Sequence, residues 1–484
     1  MIARPLLLLL LAGVLFFLAL GNHQLQNSTE PRVAGIAMQM HLTGDWVTPK
    51  LNNQPFLEKP PLSVWLDASA IRVFGANTGA VRLASALAGL LSLLLLYAML
   101  CRFGRPVNIA CGAAFLLATT ASFWSNVRQV GEDALLALGV MTALLAFFQA
   151  TVNARAHHRQ TGTWLLFALG MVISTLSKGV LGLALPGVVI FAYLLSESIL
   201  QRRLGLADWL RPAAFTLLAL LPLVVWLCFL YRDGGAEAVR EVLWTNSVGR
   251  FSGSFEEAGH YEAFYYYLAR LFEAFLPWNL LVYVGLWHFR KQLASDRYLR
   301  FFSLWLIAQL LLLSLSSSKR MVYLMSLAPA AAVIAAEYLA VLREQLMMLT
   351  SRSSLAASVA RHTRLLAIVA MTLVVGVYLV AAVWLAPLAD KELSFVPLMQ
   401  RVQALTTEGR HVVLFQPSER LAGASVFYRQ SIVDAIASEA QLNSFLMASP
   451  DNIAVMESRR EPAPPLKILS RFTVGDRTYY FVSR

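Results

Sequence analysis

No feature of this chain constrains its fold more than the recurrence of uninterrupted apolar segments, because an α-helix needs about 20 apolar residues to cross a hydrocarbon core about 30 Å thick. The first segment, MIARPLLLLLLAGVLFFLALG, is longer than the apolar core of a cleaved signal and is expected to stay as a span. Further spans are expected at residues 80–101, 107–124, 133–152, 163–177, 180–198, 209–230, 276–289, 299–316, 321–342 and 364–386, about eleven in all. With 58% hydrophobic and only 14% charged residues, and a mean hydropathy of +0.60, the chain is too apolar for a soluble domain. The expected class is mainly α, a polytopic transmembrane helical bundle.

The net charge of +12 raises the question of a nucleic-acid partner, and the placement of the cations answers it. Arg102 and Arg105, Arg155 and Arg159, Arg202, Arg203 and Arg211, the 290–300 cluster, and the arginines from Arg343 to Arg364 occupy alternate loops poor in acids. That bias marks a cytoplasmic face, so the cations follow membrane topology and no nucleic-acid partner is expected. Cys101, Cys111 and Cys228 lie in or beside apolar segments without metal-ligand spacing.

The opposite face carries charges of both signs. Residues 27–61, NSTEPRVAGIAMQMHLTGDWVTPKLNNQPFLEKPP, form the first polar loop there, and 231–262 a second. Residues 62–74 are expected to lie in the interface as a helix, and AFYYYLARLFEAF to form an aromatic belt at headgroup level. Residues 1–387 make up the membrane part. From 388 to 484 the apolar runs shorten. There HVVLF, NIAVM and RTYYFVSR are expected as strands, with ERLAGASVFYR and SEAQLNSFLM as helices between them, giving a small C-terminal α/β domain. An odd number of spans puts that domain on the mixed-charge face.

On this topology Glu30, Arg32, Glu58, Lys59, Glu132, Asp133, Lys178, His260, Lys319 and Tyr323 converge at one membrane face. Ions near hydrocarbon are costly unless they meet water, a partner or a substrate, so the set points to an amphiphilic substrate. Cations suit a lipid phosphate, and carboxylates suit deprotonation of a nucleophile or metal binding. No P-loop, dinucleotide fingerprint or hydrolase triad pattern is present. A lipid or glycan transporter is the competing class, but it would place its charges near the bilayer midplane. A scaffold displaying the C-terminal domain leaves the polar loop without a purpose.

TEPRVAGIAMQM followed by TGDWVTPKLNNQPFLEKPPLSVW resembles the first outer loop of the aminoarabinose transferase and protein O-mannosyltransferase superfamily, membrane glycosyltransferases of the GT-C class. Asp133 at the start of a span, Ser177-Lys178-Gly179, Arg250-Phe251 with His260, Leu276-Pro277-Trp278, and Ser318-Lys319 followed by Tyr323 extend the resemblance over residues 1–340. It implies a sugar donor linked to undecaprenyl phosphate and a lipid (lipid A), glycan or protein acceptor. It also implies a bacterial inner membrane, with the active face and the C-terminus periplasmic. By resemblance, Glu30 and Arg32 match the family's outer-loop acidic motif, Asp133 a second functional carboxylate, and Lys59, Lys178 and Tyr323 the positions associated with the lipid phosphate; Glu30 and Asp133 are the catalytic candidates, and the cations Arg32 and Lys319 of the same face join the phosphate-binding candidates. Glu58 and His260 match a possible divalent metal site for zinc or magnesium, and Arg250 lies in the same loop as His260. Two departures stand out: Thr29 replaces the acid of the family's Asp-Glu pair, and Arg320-Met321 replaces Leu-Pro.

Overall fold

The computed structural model describes residues 3–155, 160–253, 261–350 and 354–484. Seven of its helices are long and apolar enough to cross a membrane, or eight if the bent pair Val107–Ala118 and Ala121–Val127 is one span. The chain is therefore multi-pass. The count is lower than about eleven because helices such as Asn279–Phe289 fall short of the length a straight crossing needs.

A second reason is that the spans expected at 163–177 and 180–198 are the two arms of one bent helical run, which that count takes as a single helix. Thr161–Gln201 is one helical run of 41 residues, interrupted where Lys178 (φ −145°, ψ 24°) and Gly179 (φ 55°, ψ −127°) leave helical geometry. A Cβ at Gly182 would overlap the backbone of Ser174. Residues eight apart in a straight helix stand about 12 Å apart, so the chain reverses at Lys178-Gly179. Positive φ favours glycine, which explains Gly179 at the apex. Helix Asp133–Arg155 packs against the first arm at backbone contact, since a Cβ at Gly139 or Gly170 would meet main-chain atoms of Ser174 or Ala143. Small residues permit such approach where hydrocarbon supplies no hydrophobic drive. The packing brings the start of one helix, Asp133, to the apex of the other, Lys178.

The bend of 67° between Val107–Ala118 and Ala121–Val127 has a local cause. Thr119 and Thr120 donate their hydroxyls to the carbonyls of Phe115 and Leu116, at 2.7 and 2.8 Å. Such back-bonding bends helices.

Residues 27–61, expected as a loop, contain a helix, Thr29–Thr43, and a two-strand hairpin, β1 Lys50–Leu51 and β2 Gln54–Pro55. The Asn27 side chain accepts the amides of Thr29 and Glu30 at 2.7 and 3.1 Å and starts the helix, while Gly44 ends it in the left-handed conformation. Asn52 and Asn53, both at positive φ, form the hairpin tip. A helix is present at Leu62–Phe74, over the residues where one was expected.

The C-terminal sheet has five strands: β3 His411–Phe415, β4 Ala435–Ile436, β5 Asn452–Glu457, β6 Lys467–Val474 and β7 Arg477–Ser483, ordered β4-β3-β5-β7-β6. Strand β6 was not expected, because KILSRFTV follows a proline-rich run and mixes charge with apolar residues. Helix Glu419–Arg429 seats this domain on helix Thr29–Thr43. Gly35 and Gly423 face each other so closely that a Cβ on either would overlap the other helix's backbone. Beside them Val33, Ala37, Ala422, Val426 and Phe427 share one buried cluster. The Tyr428 hydroxyl accepts the Leu25 amide at 2.9 Å, and the Asn52 side chain accepts the Val433 amide at 3.1 Å. Gly423→Ala should push the two helices apart and cost about 1–3 kcal/mol. Thermal unfolding of the purified protein reads this, and an unchanged midpoint contradicts the docking.

Candidate functional site

The site is assembled at the end of the bundle where the hairpin turns. Lys178 forms an ion pair with Asp133, lies 3.6 Å from Glu132, and places its ammonium 4.5 Å from the centre of the Tyr323 ring. Lys59, at the end of the first polar stretch, pairs with the other side of the cluster through Glu132. Glu132 is thus a carboxylate between two lysines, and only 2% of it is exposed. Burial alone would raise its pKa, but Lys59, Lys178 and Arg32 outweigh it and hold Glu132 well below the usual carboxylate range. Burial pushes Lys59 the other way, below an ordinary lysine; Glu132 opposes that shift, and the neighbouring Arg32 and Lys178 add to it.

Both lysines open onto a cavity of about 250 Å³. One wall is apolar, built from Val180, Leu181, Ala184, Leu312 and Leu313 of the spans and Val248 and Phe251 beyond them. The rest of the lining is polar, with Glu58, Lys59, Lys178, Asn246, Ser316, Ser318 and Tyr323. A cavity that combines apolar side chains with two cations suits a ligand with a hydrocarbon part and an anionic head.

Not every expected residue is here. Glu30 is a correction: only 1% is exposed, and Arg82 grips it from Nε at 2.8 Å and Nη2 at 2.9 Å. The amides of Gln26 and Val130 donate to the same carboxylate at 2.9 and 3.0 Å. Arg82 also donates to the carbonyls of Leu20, His23 and Gln24. A carboxylate so saturated anchors the chain between the first helix and helix Thr78–Arg102 and has no lone pair left for a substrate proton. Lys319 is a second correction. Its ammonium donates to the carbonyls of Glu262 and Ser316 and does not line the cavity. Arg32 stands behind the cavity wall, 2.8 Å from Glu419 and 3.8 Å from Glu58. The Thr29 hydroxyl accepts from Arg320 at 3.4 Å, so a hydroxyl and a cation occupy the place of the family's acid.

His260 lies outside the described residues, as does the side chain of Arg250. Among the described residues no group of three His, Cys, Asp or Glu is arranged to hold a metal ion, and Glu58 has the Arg32 guanidinium beside it. The expected pairing of Glu58 with His260 therefore lies partly outside the described residues.

Two participants carried no assigned role in the sequence. Glu132 belonged to the converging set but was overshadowed by Asp133. Asp67, 2% exposed on helix Leu62–Phe74, has a carboxyl oxygen with no hydrogen-bond partner among the described residues. Burial, then the charge of Glu132, pushes its pKa well above the ordinary carboxylate value. An acid on the buried face of an interfacial helix was the available signal.

In sequence and in fold the chain resembles the GT-C superfamily of membrane glycosyltransferases. Residues 58–226 match the family described as dolichyl-phosphate-mannose-protein mannosyltransferase. Among individual relatives, the undecaprenyl phosphate-alpha-4-amino-4-deoxy-L-arabinose arabinosyl transferase of Pseudomonas aeruginosa (strain LESB58) is 32% identical over 322 residues, 66% of this chain and 56% of that protein. The chain thus aligns with little more than half the length of that relative. The crystal structure of ArnT from Cupriavidus metallidurans bound to undecaprenyl phosphate superposes with a TM-score of 0.71 at 20% identity, covering 99% of this chain and 97% of that one. The Archaeoglobus fulgidus oligosaccharyltransferase shares the fold at a TM-score of 0.59 and 15% identity, over 94% of this chain and 69% of its own.

Proposed function

We propose that this protein transfers a sugar from a polyprenyl-phosphate donor to an acceptor at the periplasmic face of a bacterial inner membrane. The observation that carries the reading is the single cavity that joins an apolar wall to Lys59 and Lys178. The prenyl chain lies along Val180, Leu181 and Leu312, and the phosphate meets the two ammonium groups. The relative from Pseudomonas supports an aminoarabinose donor. The charges gather at one end of the bundle, unlike the midplane sites of secondary transporters.

The chemistry is a displacement at the anomeric carbon. The bond from that carbon to the phosphate oxygen breaks, the phosphate leaves with the electron pair, and an acceptor oxygen forms the new bond. Lys59 and Lys178 stabilise the charge that grows on the leaving phosphate, in a site whose low polarity strengthens them. The incoming phosphate competes with Asp133 and Glu132 for the same ammonium groups, and a hydroxyl acceptor would then lose its proton to Asp133. With Thr29 and Arg320 where an acid is expected, an acceptor that arrives ionised, such as a lipid A phosphate, fits better because it needs no base. A protein or neutral glycan acceptor is less suited.

Purified protein in nanodiscs, given undecaprenyl phosphate-aminoarabinose and lipid A, should yield sugar-modified lipid A by mass spectrometry. Absence of product with lipid A, glycan and protein acceptors alike would count against the reading. Donor binding should also carry a pH signature. Because the Lys59 pKa is lowered from 10.5 in the folded protein, the unfolded chain binds the extra proton between the two values. Stability therefore rises with pH across that window, while phosphate affinity falls as Lys59 loses its charge. Undecaprenyl phosphate titrations should weaken below pH 10.5 in wild type, and Lys59→Arg should abolish that early weakening because a guanidinium stays charged.

A further inference from the structure

The C-terminal domain reaches the donor-side cluster through one side chain. Glu419 opens helix Glu419–Arg429 and accepts from Arg32 Nη1 at 2.8 Å. Arg32 comes from helix Thr29–Thr43, and the same Nη1 is 3.8 Å from Glu58, a carboxylate of the cavity wall. That distance is an ion pair without a hydrogen bond. The Arg32 side chain is 11% exposed whereas Glu419 is 49% exposed. Arg32 Nε is buried without a hydrogen-bond partner among the described residues, and its guanidinium carbon lies 5.4 Å from the centre of the Phe56 ring.

A half-exposed ion pair adds little to docking. The domain is held instead by the Gly35-Gly423 contact and by Tyr428 and Asn52. The carboxylate matters for its partner, because it fixes which of two acids a nearly buried guanidinium serves. We propose that Glu419 is a positioning residue: it holds Arg32 off Glu58, so that the guanidinium stays behind the cavity wall as a fixed positive charge toward the anionic group of a substrate at the Lys59-Lys178 cluster. The substrate part of this inference rests on the proposed function, and the geometric part stands without it. Without Glu419, Arg32 would lose its hydrogen bond and close on Glu58, cancelling a cavity charge and withdrawing its own.

The test has two arms on the full-length protein in nanodiscs. A cryo-EM structure of Glu419→Gln is expected to show Arg32 hydrogen-bonded to Glu58, and a guanidinium left in place overturns the inference whether or not the protein transfers sugar. With undecaprenyl phosphate-aminoarabinose and lipid A, Glu419→Gln is expected to lower kcat about tenfold, the scale of one charge-assisted hydrogen bond, without lowering the thermal midpoint. Glu419→Asp should recover most of that loss. An unchanged kcat beside an active wild type overturns the inference, as does a loss that merely follows the folded fraction. A wild type inactive with every acceptor counts against the proposed function alone, and the cryo-EM arm then decides.

Discussion

Lys178→Ala is expected to lower sugar transfer by about two to three orders of magnitude, the loss seen when one preorganised group facing a developing charge is removed. Lys178 sits at the apex of the helical hairpin, where Gly179 allows the turn, and its stem is packed by the span around it. On the proposed function the ammonium is therefore held where the donor phosphate arrives and needs no reorganisation as the glycosidic bond breaks. Lys59→Ala should act in the same direction from the other side of Glu132. Removing one lysine also strips a counter-charge from a buried carboxylate, so lost folding must be separated from lost chemistry. The paired variant Lys178→Met with Asp133→Asn removes both charges at once. It should restore folding and leave transfer abolished, read by size-exclusion profile and product formation on the same preparation.

The second large effect is on stability. Glu30→Gln should destabilise the protein by about 3–5 kcal/mol, because it leaves the fully buried Arg82 guanidinium without its counter-charge. The glutamine can satisfy only part of what the carboxylate does, since Glu30 accepts from Arg82 twice and from two backbone amides. Protein that remains folded should transfer sugar at close to the wild-type rate per molecule. A general base would show the reverse pattern, with normal stability and a rate lowered by about two to four orders of magnitude. Thermal unfolding and specific activity of Glu30→Gln therefore separate the two roles.

These two residues show what was legible in the sequence. Lys178 interrupts a long apolar run, an anomaly visible without any structure, and hydropathy alone places it at a membrane face. Lys59 lies in a motif specific enough to carry the superfamily. Glu30 shares that stretch, but its role depends on Arg82, which lies inside an apolar segment 52 positions along the chain and gives no local sign of pairing. Lys319 misled for a similar reason, since the carbonyls it serves are main-chain groups with no sequence signature. Glu419 falls beyond the part of the chain that resembles the family, so its link to Arg32 appears only once the C-terminal domain is docked. The helix within residues 27–61 was hidden by the loop's polar ends, although AGIAMQM is compatible with a helix once Asn27 and Gly44 bound it.

The central claim is that Lys59 and Lys178 hold the phosphate of a polyprenyl donor in the cavity they share with apolar side chains. Native mass spectrometry of the protein with undecaprenyl phosphate, comparing wild type with the Lys59→Ala, Lys178→Ala double variant, tests it most directly. Wild type should bind the lipid and the double variant should bind at least about tenfold more weakly, as loss of charge-assisted contacts to phosphate requires. A folded double variant that binds undecaprenyl phosphate as tightly as wild type would contradict the account.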